Sequence, residues 1–257
     1  MSNEFGRVSV SDWEVESLRI TTFPAQNAEV KLDNWWQDVV DSEPETQLIQ
    51  AKRGEKRFQG AFEGGQLTLQ VRPGRIDWLL GPAVSNDEQP TGEFIPSVGR
   101  FDAMCHRFKE LVDRWLTSSP SLNRIAFGGV ILLPVPDRAT GYKRLVPYLP
   151  SVEIDPDGTR DLLYRINRPR ISRADKDLRI NRLITWSVGT IAFKSFTVTG
   201  GQPLIVTPGK ESFVCRIELD INTSAEFSGQ FVPDQSRVIL VELVELASEI
   251  IEEGDVP

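Results

Sequence analysis

Gln66-Leu67-Thr68-Leu69-Gln70-Val71-Arg72-Pro73-Gly74-Arg75-Ile76-Asp77-Trp78-Leu79-Leu80 is the stretch that decides the fold class. Gly64-Gly65 turns the chain into Gln66–Val71, where apolar and polar residues alternate as they do in a half-buried strand. Pro73-Gly74 is a turn dipeptide that leads into Arg75–Leu80, and the two runs read as an antiparallel hairpin. Working outward, Arg75-Ile76-Asp77-Trp78 has a counterpart in Arg182-Leu183-Ile184-Thr185-Trp186. The tryptophans lie 108 positions apart, each with an isoleucine two residues before it. Pro24 and Pro134, each closing an apolar run, are 110 apart. The chain therefore reads as one α+β unit written twice. The closing helices match less well, with Phe101 and Val238 137 apart, so the second copy is expected to carry an extra strand.

Upstream of the hairpin, Leu18–Phe23 is β-prone, a helix is expected from about Ala28 to Val40, and strands at Thr46–Ala51 and Arg57–Phe62. Gly81–Gly99 is rich in Pro, Gly, Ser and Asn and reads as a loop. Phe101, Met104, Cys105, Phe108, Leu111, Val112, Trp115 and Leu116 then form one clean helical stripe, ended by Ser118-Ser119-Pro120. The second half predicts a strand at Ile125–Leu133, a short helix at Ala139–Leu149, and strands at Leu183–Thr197 and Ser212–Asn222 around the turn Gly200-Gly201. A final helix spans Pro233 to Glu252. It is apolar over most of its circumference, which places it between two sheets or against another subunit. Of the neighbours Trp35 and Trp36, one can face the core while the other is left for a partner. The reading is α+β: two related halves, 1–120 and 121–257, each a mainly antiparallel sheet packed by helices, with a long C-terminal helix.

With 40% apolar and 26% charged residues among 257, the composition is that of an ordinary globular protein. There is no apolar run long enough to span a bilayer, and Met1-Ser2-Asn3-Glu4-Phe5 lacks the blocks of a signal peptide. Cys105 and Cys215 each sit in an apolar pattern and read as buried thiols; the compartment expected is the cytoplasm. The net charge of −8 and pI of about 4.9 argue against a DNA-coating protein. Much of the acidity lies at the end, in Glu242, Glu245, Glu249, Glu252, Glu253 and Asp255.

The same order of elements resembles a sporadically distributed, uncharacterised bacterial family of about this length with a two-half α+β architecture. The matching features are the Leu67–Trp78 hairpin, the Phe101–Leu116 helix running into Leu122-Asn123-Arg124-Ile125-Ala126-Phe127, and Leu219-Asp220-Ile221-Asn222 before the last helix. The resemblance implies a bacterial cytoplasmic protein, encoded in some cases near mobile-element or antiviral-defence genes, and it implies no activity. The acidic Glu249–Asp255 stretch replaces the aromatic that family members often carry near the helix end.

Catalytic signatures are few. His106 is the only histidine and lies on the charged face of its helix beside Cys105; helix neighbours point about 100° apart, so the two make no catalytic pair. Gly200-Gly201-Gln202-Pro203 and Pro208-Gly209-Lys210-Glu211 fail the spacing of a phosphate loop and read as hairpin turns. Asp155-Pro156-Asp157-Gly158 could hold a metal but reads first as a turn. Glu218 and Asp220 alternate onto one strand face, the remaining candidate for a divalent-metal-dependent enzyme. The charge feature with functional flavour is Arg165, Arg168, Arg170, Arg173, Lys176, Arg179 and Arg182: seven basic residues against Asp175 and Asp177, a local excess of +5. Such a segment suits an acidic partner surface or phosphates, although few aromatics interleave. The function expected is a non-catalytic interaction subunit of a bacterial cytoplasmic system, of phage defence or a mobile element, with no cofactor. It docks through the arginine-rich segment and the C-terminal helix onto another protein subunit or a second copy. Nucleic-acid binding by Arg165–Arg182 and a metal-dependent enzyme using Glu218 and Asp220 are the alternatives.

Overall fold

The computed structural model describes residues 6–28, 30, 34–83, 95–197 and 205–257. The Gly200-Gly201 turn, most of the Gly81–Gly99 loop and part of the first expected helix lie outside them. In chain order the elements are β1 (Glu14–Pro24), α1 (Trp35–Val40), β2 (Thr46–Gln50), β3 (Glu55–Phe62), β4 (Gly65–Arg72), β5 (Arg75–Pro82) and α2 (Phe101–Leu116). Then follow β6 (Leu122–Val135), α3 (Arg138–Leu145), β7 (Leu163–Asn167), β8 (Arg170–Ile171), β9 (Arg179–Thr197), β10 (Ile205–Thr223) and α4 (Pro233–Glu253). The strands form one antiparallel sheet in the order β2-β3-β4-β5-β1-β6-β10-β9-β7, with β8 also on β9. The α+β class, the antiparallel sheet and the long C-terminal helix are all present.

The two halves share that sheet. β1 pairs with β6 from Glu14 opposite Leu132 to Pro24 opposite Leu122, so a single ladder crosses the expected boundary near residue 120. The final helix is accordingly not sandwiched between two sheets. It lies along one face of the sheet, over β6 and β10, with α2 beside it, and Arg237 of α4 grips Asp113 of α2 through two hydrogen bonds of 2.9 and 2.8 Å. Ile239, Leu240, Leu243, Leu246, Ala247, Ile250 and Ile251 supply the buried stripe, while Val238 and Val241 face outward.

Three sequence expectations need correction. Trp78 lies on β5, directly beside β1, whereas Trp186 lies on β9, one strand removed from β6, so the 108-residue offset does not join equivalent strands. Each half has five strands among the described residues; the additional length sits in β9 and β10, 19 residues each against eight in β4 and β5. Pro24 and Pro134 are not beyond their strands but within the ends of β1 and β6.

The four α-helices among the described residues cover the same face. Ile20, Phe127 and Ile221 are opposed across β1, β6 and β10 and are buried beneath them, as are Ile131, Ile217 and Trp186 across β6, β10 and β9. Trp78 and Trp186 each anchor an aromatic cluster there. Trp36 stacks on Trp78 at 6.2 Å, and Trp115 meets both Trp78 (6.1 Å) and Trp35 (5.6 Å) edge-on. Trp186 packs with Tyr148 at 5.5 Å and Trp13 at 6.4 Å. Each such pair adds about 0.5–1.5 kcal/mol to the area it buries. Trp35 and Trp36 are both buried, because side chains 100° apart reach Trp115 of α2 on one side and Trp78 of β5 on the other.

Candidate interaction surface

The arginine-rich segment and the acidic end of the chain, read from sequence as two surfaces, neutralise each other. Arg168 donates to both carboxylate oxygens of Asp255, at 2.5 and 2.8 Å, and the Tyr164 hydroxyl donates to the same group at 2.7 Å. Arg170 forms a second two-pronged pair with Glu249, at 2.7 and 2.5 Å. Arg173 pairs with Glu245 and, at 3.6 Å, with Glu242, which also accepts from the Ser172 hydroxyl (2.6 Å) and the Arg173 amide (2.8 Å). Arg182 is fully buried: it donates to the Val256 carbonyl at 3.3 Å and lies 3.5 Å from Glu249. The Arg168 hydrogen bonds hold Asp255 below the usual carboxylate range, and burial lowers the pKa of Arg182. Bidentate arginine–carboxylate geometry fixes the segment to α4 and the tail. Three of the seven basic residues, Arg165, Lys176 and Arg179, are exposed and have no ion pair among the described residues.

Arg165 points the other way, towards the face of the sheet that no described helix covers. Alternation along β7 sends Tyr164 and Ile166 to the helix side and Leu163, Arg165 and Asn167 to the bare side. Cross-strand registers there run Arg165–Thr185–Glu218–Val130–Ser17 and, in the next row, Asn167–Leu183–Asp220–Gly128–Arg19–Leu79. The middle of these rows is a groove of about 540 Å³. Its floor is Gly128, beside Gly129 on β6. A Cβ on Gly128 would lie 3.3 Å from Nη2 of Arg19 and 3.2 Å from the Leu219 carbonyl, so the missing side chain is what lets the Arg19 guanidinium lie across the strand.

Arg19 and Arg165 enter the groove without an ion-pair partner among the described residues. Leu79, Val130, Leu163 and Leu183 give it apolar walls. Glu218 and Asp220 share this face, as alternation requires, but both carboxylates are engaged. Glu218 pairs with Arg216, which also lies 3.6 Å from Glu16, and Asp220 accepts from the Asn222 amide at 3.0 Å. Among the described residues no group of three or more metal-ligating side chains forms. Next to the groove, Asp77 opposes Thr21 and accepts from its hydroxyl (2.5 Å), from Arg72 (2.9 Å) and from Arg75 (2.7 and 2.8 Å). Burial is the largest single influence on Asp77 and opposes its charge, yet Arg75, Thr21 and Arg72 together hold its pKa below the ordinary value.

The other singled-out residues lie outside the groove. Both thiols are free and buried, each pushed up to about 12 by burial. His106 is exposed and 3.2 Å from Glu110 one helical turn on. Asp155–Gly158 is a turn, with the Asp157 amide donating to Asp155 at 3.1 Å. Pro208–Glu211 is not a hairpin turn: it lies inside β10 at a break in register. No described helix is long and apolar enough to cross a membrane. Sequence reasoning missed Arg19 and Gly128. The signal was available in Gly128-Gly129, two glycines inside an apolar strand, which mark a close approach by another group.

Compared with family models, curated proteins and solved structures, the chain gives no match.

Proposed function

We propose that this protein is a non-catalytic interaction subunit that recognises a segment of another protein on the bare face of its sheet. Arg19 and Arg165 supply the charged anchors, Gly128 the floor, and Leu79, Val130, Leu163 and Leu183 the apolar contact. The observation that carries the reading is the pair of guanidinium groups with no counterion among the described residues, in a groove that also offers leucine surface. Neutralisation elsewhere supports it: Arg168, Arg170, Arg173 and Arg182 spend their charge on the acidic tail, so the arginine-rich segment contributes Arg165, Lys176 and Arg179 rather than seven contacts. Glu218 and Asp220 between the two arginines favour a partner of mixed charge over a polyphosphate, which they would repel. A bacterial cytoplasmic setting in phage defence or a mobile element is the context that the family resemblance implies.

Light scattering after co-purification with the products of adjacent genes tests this. A complex with one of them, lost when Arg19 and Arg165 both become Glu while the fold is retained, is the expected result. A complex indifferent to that double substitution, or none at all, contradicts it.

We further read the halves as related copies. Both run β-α-β-β-β-β-α, and their first strands, β1 and β6, pair antiparallel at the centre of the sheet, as a local two-fold axis would arrange them. In an experimental structure one rotation should then superimpose β1 on β6, the β4–β5 hairpin on β9–β10, and α2 on α4. A different rotation for each pair would oppose duplication.

A further inference from the structure

β2 is the outer strand at one end of the sheet, and one side of its backbone has no partner strand among the described residues. Natural edges are normally guarded by lysine, proline or a bulge, because an open row of N–H and C=O groups pairs with any available strand. β2 has none of these. It reads Thr46-Gln47-Leu48-Ile49-Gln50, uncharged throughout and in unbroken register with β3, with Leu48 53% and Ile49 54% exposed.

We propose that β2 is a dimerisation edge, through which two copies of this chain pair antiparallel about a two-fold axis at Leu48 and join their sheets. Opposed residues in a ladder must share a face, so the register can centre only on a residue; centring on Leu48 uses all five positions. Three features of the edge are self-complementary in that register. Leu48 meets Leu48 of the second copy on the bare face. Ile49 of each copy falls opposite Gln47 of the other on the helix face, and Gln47 lies at the margin of a pocket of about 270 Å³ of mixed character, lined by Trp36, Phe58 and Leu69 together with Asn34, Glu43 and Lys56. The exposed isoleucine is thus covered by the other copy, twice, as an isologous interface requires.

The third feature is charge. The chain entering β2 is acidic, with Glu43 and Glu45, and the turn leaving it is basic, with Lys52 and Arg53, which have no ion pair among the described residues. Antiparallel self-pairing brings the basic end of each copy to the acidic end of the other. Parallel pairing would set like against like, so the same residues select the orientation.

Size-exclusion light scattering from ~1 to ~200 μM spans the affinities expected of a short interface. The expected result is a concentration-dependent dimer. Leu48→Lys places two ammonium groups face to face across the axis and should weaken it at least about tenfold. Leu48 is exposed, so tryptophan fluorescence should remain that of the native fold. Leu48→Glu alone should weaken the dimer likewise, and mixing it with Leu48→Lys should restore a dimer by opposing unlike charges at the same point. A wild-type chain that stays monomeric at every concentration overturns the proposal. So does a dimer untouched by Leu48→Lys, and a mixture that fails to recover overturns the register.

Discussion

Replacing Asp255 with Ala probes the union of the arginine-rich segment with the C-terminal tail. The Asp255 side chain is fully buried and accepts two hydrogen bonds from Arg168 and one from Tyr164. Truncation leaves those donors behind with no acceptor. Breaking a wholly buried pair in this way costs about 3–5 kcal/mol, but the Arg168 side chain is 28% exposed and can recover water, so about 2–3 kcal/mol is expected. Urea unfolding followed by tryptophan fluorescence measures it directly, since Trp186 stands opposite Tyr164 in the β7–β9 ladder. The pH dependence supplies a second reading. Asp255 has its folded pKa lowered, foremost by Arg168, so its contribution is complete above the unfolded carboxylate value of about 3.9 and is lost as pH falls through the folded value. The stability gap between wild type and Asp255→Ala should therefore be constant near neutrality and close in strong acid. A change below about 0.5 kcal/mol, the range of ordinary surface substitutions, would refute the view that these pairs secure the segment.

Three further outcomes follow from the same geometry. Gly254→Ala should destabilise by at least about 2 kcal/mol in the same unfolding assay, because φ is +81° and a Cβ would stand 2.2 Å from the Tyr148 carbonyl; a neutral result contradicts the packing of the tail. Cys105 and Cys215, with pKa values pushed to about 12, should ignore a thiol-specific disulfide reagent at mildly alkaline pH until denaturant is added, and rapid native labelling would show one of them to be accessible. Calorimetry with magnesium or manganese should register no binding at Glu218 and Asp220, whose carboxylates are held by Arg216 and Asn222; binding abolished by Asp220→Ala would restore the enzyme reading.

The elements legible in sequence were those specified by local pattern. The stripe from Phe101 to Leu116 gave the α2 bounds because apolar spacing and the Ser118-Ser119-Pro120 stop coincide. The β4–β5 hairpin followed from its turn residues. Neighbours distant in sequence were not legible. Nothing in Leu18–Phe23 or Ile125–Leu133 alone says that β1 and β6 pair, and that contact is what makes one sheet of two halves. Both charge clusters were visible, yet opposite runs some 80 residues apart look like two docking patches until the fold brings Arg170 to Glu249. The groove was harder still: Arg19 is one arginine in an alternating strand, and its place depends on a glycine 109 residues later.

Arginine-selective footprinting with phenylglyoxal, read by mass spectrometry on the protein alone and in its complex, tests the assignment of the bare sheet face most directly. Arg19 and Arg165 should react when the protein is free and be shielded in the complex, while Arg107 and Arg114 on the outer face of α2 stay equally reactive in both. Shielding confined to α2 and α4, with Arg19 and Arg165 unchanged, would move the interaction to the helical side and contradict the account.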